Sequence, residues 1–205
     1  SRNVADGMSK GVQFLMKKNK IDVIYGFGKL KSGKKVVVTD NENKETEYSA
    51  DHIVIATGAR SRELPFLPID GEKVIGYRQA MTLPKQPKKM IIVGSGAIGV
   101  EFAYFYNSMG TEVVIVEFLP NLVPLEDEEV SKQFEKSFKK SGIKVMTNSS
   151  VTKVDTSGNG VKATIKTKNG EEVMEADVVL SAVGIKSNIE GIGLEDIGIV
   201  VDKDK

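Results

Sequence analysis

Apolar residues fall into short runs along this chain, and the spacing within each run separates helices from strands. Residues 4–18 (VADGMSKGVQFLMKK) place Val12, Leu15 and Met16 at helical spacing. Residues 21–25 predict a short strand, and Gly26, Phe27 and Gly28 a turn. Residues 35–39 and 45–49 read as β segments around the polar turn 40–44, and the apolar run 53–56 predicts a further strand. Residues 61–87 are Pro-rich and irregular, and predict a linker between two units.

A second pattern begins near Lys88. Residues 97–109 predict a helix closed by Gly110, and 111–116 (TEVVIV) a buried strand ending at Glu117. Residues 127–141 are amphipathic, with Val130, Phe134 and Phe138 on one stripe, acids in the first turn and Lys139 and Lys140 in the last. Gly142 ends that helix before a strand over 143–146. Three β segments follow (150–155, 161–167 and 172–174), then a strand over 177–182 that breaks at Gly184. Residues 198–201 have β character. Two βα units, a meander and a returning strand predict an α/β fold: a Rossmann-like parallel sheet with helices plus a three-stranded antiparallel meander.

Residues 90–99 (MIIVGSGAIG) are the most informative stretch. An apolar strand breaking into G-x-G-x-x-G and leading into a helix is the fingerprint of a dinucleotide-binding βαβ unit. Gly94 permits the sharp turn, Gly96 has no Cβ to obstruct a pyrophosphate, and Gly99 lets the helix pack on the strand. The helix start offers unpaired N–H groups to phosphate. Glu117 stands where a carboxylate accepts both hydroxyls of the adenosine ribose. Its plainer reading is a surface acid at a strand end. No Lys, Arg or His occurs between Thr111 and Leu125, and a 2′-phosphate would meet the like charge of Glu117, so NAD is expected rather than NADP.

Composition narrows the chemistry. Lys and Arg number 29 against 28 Asp and Glu, a net charge of +1, which gives no reason to expect a nucleic-acid or membrane partner. No apolar run reaches membrane-spanning length and no signal peptide opens the chain, so a cytoplasmic location is expected. Cysteine is absent, which removes disulfides, thiolate metal sites and redox dithiols from these residues. The single histidine, His52, reads as a strand-edge residue, and no metal site is expected.

Together, 53–59 (IVIATGA), 94–101 (GSGAIGVE), 117–125 (EFLPNLVPL), 142–144 and 182–188 (AVGIKSN) resemble the flavoprotein pyridine-nucleotide disulfide oxidoreductases, within them the dihydrolipoamide dehydrogenase branch. The resemblance covers nearly the whole chain. It implies a segment of an FAD-binding domain with a linker over 1–85, an NAD-binding domain over 86–190 and a return to the FAD domain over 191–205. Gly94, Ser95, Gly96, Ala97, Ile98, Gly99, Val100 and Glu101 would form the NAD loop and helix start, with Glu101 towards the nicotinamide end. Glu117 would hold the adenosine ribose, Val151 would touch adenine, and Gly184 would lie near the nicotinamide ribose. Gly28, Thr57, Gly58 and Ala59 match positions that line FAD. Plainer readings stand beside three of these: Glu101 as an acid favoured in a helix's first turn, Val151 as strand core, and Gly28 as a turn glycine.

Also implied is a homodimeric parent serving 2-oxoacid dehydrogenase complexes, using NAD and FAD. The family's first glycine motif, its C-x-x-x-x-C pair, its later Gly-Asp motif and its dimerisation domain are not matched in these residues. Lys186 and Ser187 replace a common Arg-Pro, and Arg60 follows Ala59 where small residues are usual. The expectation is therefore a fragment that binds NAD(H) and is inactive alone, with no catalytic residue of its own. Other readings are another branch (an NADH oxidase or peroxidase, or a transhydrogenase) or a stand-alone NAD-binding module.

Overall fold

The computed structural model describes residues 2–202. They form two compact units, one comprising the chain up to Thr57 and again from Asn188, the other Gly58–Ser187.

In the first unit, α1 (Arg2–Lys18) follows the predicted helix but buries none of its residues. Strands β1 (Phe27–Lys31), β2 (Lys35–Thr39) and β3 (Glu45–Ser49) form an antiparallel sheet in that order. Asp40 Oδ1 shapes the β2–β3 turn by accepting from the N–H of Glu42 and of Lys44, each at 2.9 Å. A small cluster of Leu30, Ile192 and Leu194 is the unit's buried centre.

Several expectations fail here. Gly28 lies inside β1, opposite Val38, and not in a turn. Residues 21–25 and 53–56 form no strand, and neither do 198–201. The reason is physical: apolar residues become a strand only where a neighbour supplies ladder partners. No described segment pairs with these runs, and Val54 remains 87% exposed.

In the second unit β4 (Ala59–Ser61) runs up to the expected linker, which itself contributes β5 (Val74–Ile75) and α2 (Tyr77–Ala80), with Val74, Ile75 and Ala80 buried. Then come β6 (Lys89–Val93), α3 (Ala97–Ser108), β7 (Glu112–Val116), α4 (Glu128–Lys140), β8 (Lys144–Met146), β9 (Ser150–Asp155), β10 (Val161–Thr167), β11 (Gly170–Ala176), β12 (Val178–Ser181) and β13 (Ile185–Ser187). A parallel sheet runs β5-β12-β6-β7-β8, an antiparallel meander β11-β10-β9, and β13 pairs antiparallel with β4. The expected α/β architecture, with its parallel sheet, helices and three-stranded meander, is present.

The sheet is covered on both faces, which is why β6 and β7 read as unbroken apolar runs. Met90, Ile92, Val113 and Ile115 pack with Ala103 and Tyr106 of α3 and Phe138 of α4. The alternate residues, Ile91, Val93, Val114 and Val116, pack with Val151, Ala163 and Ile165 of the meander. On α4, Asp127 caps the first turn by accepting from Glu129 N–H at 2.8 Å. The predicted stripe is rotated: Val130 is exposed, while its neighbour Ser131 is buried with Phe138 and donates through Oγ to the Val123 carbonyl.

Candidate functional site

A cleft of about 810 Å³ opens at the C-terminal ends of β6 and β7, where ligands bind in open α/β sheets. The chain leaves β6 at Gly94 with φ +98, a conformation L side chains rarely adopt; a Cβ there would stand 2.5 Å from the Ala182 carbonyl oxygen. A Cβ on Gly99 would lie 2.1 Å from the Gly94 oxygen, so this glycine sets how closely α3 approaches the turn. Gly96 differs. A Cβ there would meet nothing within 4 Å, which leaves its backbone open to a ligand. Gly96 is also the residue that starts α3, and no side chain caps that end. Its donors and partial positive charge remain available for an anion.

Glu117 follows β7 and is buried to 7% exposure. Its backbone is tied on both sides: the N–H donates to the Met146 carbonyl at 2.8 Å, and its carbonyl accepts from Ser149 N–H at 2.9 Å. The carboxylate is held as well. Oε2 accepts from both the N–H and the hydroxyl of Ser95, each at 2.7 Å, and Oε1 accepts from Leu119 N–H at 2.8 Å. Ionised carboxylates offer about four acceptor positions, so one remains, on Oε1. In this structure Glu117 therefore offers room for one ribose hydroxyl rather than the two expected.

The cleft gathers Gly94, Ser95, Gly96, Ala97, Ile98, Glu117, Val151 and Gly184. Gly99 and Val100 are buried behind it, Val100 in the core against β6 and β7, and Glu101 is exposed on α3 outside the lining. Gly28 and Thr57 belong to the first unit, Gly58 and Ala59 to the second, and none of the four lines the cleft.

Sequence reasoning missed the apolar rim. Leu64 and Phe66 come from the supposed linker, and Phe118, Leu119 and Leu125 from the segment after β7. The signal for Phe118 and its neighbours was their position beside Glu117; Leu64 and Phe66 gave none. Among the described residues, Glu117 is the single charged side chain in the lining, and Lys, Arg and His are absent from it. Among the described residues no group of His, Asp and Glu could hold a metal ion, and no helix is long and apolar enough to cross a membrane.

Known proteins match nearly the whole chain. A dihydrolipoyl dehydrogenase of Rhizobium etli is 43% identical over 99% of this chain and 45% of its own length. One from Zymomonas mobilis is 42% identical over 99% and 44%. Among solved structures, LpdA from Mycobacterium tuberculosis superposes with a TM-score of 0.87 at 29% identity, covering 98% of this chain and 45% of that one. A flavoprotein disulfide reductase, RclA from Escherichia coli, gives 0.78 at 25% identity, covering 96% and 45%. The chain thus spans less than half the length of these relatives. With the family's own profile matching residues 2–205, the chain belongs to the pyridine nucleotide-disulphide oxidoreductases.

Proposed function

We propose that these 205 residues are the NAD(H)-binding portion of an NAD-dependent dihydrolipoyl dehydrogenase. One observation carries the reading: the open backbone at Gly96 faces the same cleft as the buried carboxylate of Glu117, and the described residues that line it include no Lys, Arg or His. Gly96, Ala97 and Ile98 take the pyrophosphate on backbone N–H groups, while Gly94 and Ser95 shape the turn, their own N–H groups donating to the Val116 carbonyl and to Glu117 Oε2. Glu117 accepts from the adenosine ribose. Val151, 2% exposed at the cleft wall, meets adenine, and Gly184 approaches the nicotinamide ribose. Gly99 and Val100 brace the loop from behind, and Glu101 is assigned to the nicotinamide end by its place one turn into α3. The negative site disfavours a 2′-phosphate, which makes NAD the preferred nucleotide.

When bound, nicotinamide supplies a carbon that carries hydride; the residues here bind and orient it. The parent would also use FAD, with Gly28, Thr57, Gly58 and Ala59 near it, and would act as a cytoplasmic homodimer within 2-oxoacid dehydrogenase complexes. Support for this lies in the names of the relatives and in the resemblance of the flanking segments. Without a cysteine, these residues hold no redox disulfide, and alone they are expected to turn over no lipoamide.

Glu117→Ala tests the reading. Losing a charge-assisted hydrogen bond costs about 1.5–3 kcal/mol, or roughly tenfold to a hundredfold in affinity. NADH titration into the folded variant should show that loss; unchanged affinity contradicts the assignment.

A further inference from the structure

Ser95 occupies the variable position of the G-x-G turn, yet its side chain is wholly buried and points at one atom. Its hydroxyl and its N–H converge on Glu117 Oε2 from the same residue. Its carbonyl, in turn, accepts from Val123 N–H at 3.1 Å, tying the turn to the segment after β7. With Leu119 N–H on Oε1, the carboxylate is gripped at both oxygens. A carboxylate with one or two donors can swing aside when a bulky anion enters; one gripped by three cannot without leaving buried donors unpaired, which is costly.

We propose that Ser95 is a positioning residue that sets the nucleotide preference of the cleft, by pinning Glu117 where a 2′-phosphate would meet its charge. The proposal rests on the NAD(H) reading of the cleft and deepens it. Two things follow from the geometry. The hydroxyl of Ser95 leaves the free acceptor position on Oε1, so the ribose finds an acceptor already oriented, which is what preorganisation contributes to affinity. It also removes the escape by which a phosphorylated ribose could be tolerated, and the described residues of the lining offer no cation to compensate. Specificity of this kind comes from a retained repulsion as much as from an attraction.

The test compares NADH and NADPH in calorimetric titrations of the full chain and of Ser95→Ala, with folding checked by circular dichroism. Ser95→Ala should weaken NADH about tenfold, the loss of one hydrogen bond to a charged group. NADPH should hold or tighten, so the preference for NADH shrinks by at least that factor. A purely structural role would weaken both nucleotides equally, and that result overturns the proposal, as does an unchanged pair of affinities. If Ser95→Ala does not fold, Ser95→Cys keeps the volume with a much weaker donor and carries the same expectation; wild-type preference in that variant overturns it. Failure of the unaltered chain to bind NADH sinks the reading of the cleft itself. Unaltered binding with a preference that Ser95→Ala leaves in place sinks only the role of Ser95.

Discussion

The strand β6 and the run 53–56 are alike in sequence and opposite in fate. Met90, Ile91 and Ile92 are fully buried, paired with β12 on one side and β7 on the other, and covered by helices on one face and the meander on the other. Ile53, Val54 and Ile55 are just as apolar, yet they pair with nothing described, and Val54 is 87% exposed. Helices repeat the contrast: α4 buries Ser131 and Phe138, whereas α1 buries nothing. An apolar pattern states what a segment needs, and only neighbours decide whether it is met. Stability is accordingly concentrated in the second unit, where the candidate site also lies.

Truncation of equivalent side chains should break this symmetry most visibly. Ile92→Ala should cost about 2–5 kcal/mol by opening a cavity in a closed core, whereas Val54→Ala should stay within about 0.5 kcal/mol as a surface change. Urea unfolding of the two variants measures the difference; equal losses would mean that 53–56 is covered after all.

Next in size is Gly99→Ala. Its Cβ would fall 2.1 Å from the Gly94 oxygen, so α3 must back away from β6. Overpacking of this kind costs about 1–3 kcal/mol, and the lowered urea midpoint should come with weakened NADH binding. The same substitution at Gly11 of α1, where a Cβ meets nothing within 4 Å, should be harmless or slightly stabilising.

A smaller effect is expected from acid. Burial pushes the pKa of Asp70 up, but N–H bonds from Glu72, Lys73 and Val74 and the charge of Lys73 outweigh this, leaving it below the usual carboxylate value. A lowered folded pKa gives stability that is present above the unfolded value, about 3.9, and is lost as pH falls through the lower folded value. Unfolding midpoints of the second unit should therefore drop below about pH 4, and Asp70→Asn should flatten part of that slope. An unchanged slope contradicts the assignment.

The chain's legibility followed the length of its patterns. β6, α3 and β7 were readable because a doubly covered strand is a continuous apolar run and the glycine turn is local. The meander was readable from alternation, as in Val161, Ala163 and Ile165, all buried on one face. Two-residue β5 and the three-residue pair β4 and β13 were too short for any periodicity to register, which is how the segment with Leu64 and Phe66 passed for a linker. In the site, the loop and Glu117 were visible. The bonds between Ser95 and Glu117 were not, because the two are 22 positions apart and only the parallel pairing of β6 with β7 brings their ends together.

The most direct measurement is a calorimetric titration of NADH, then NADPH, into the folded chain without flavin. The account predicts NADH binding well above NADPH. Binding of neither, or of NADPH as tightly as NADH, would contradict the assignment of the glycine loop and Glu117 to an NAD(H) site.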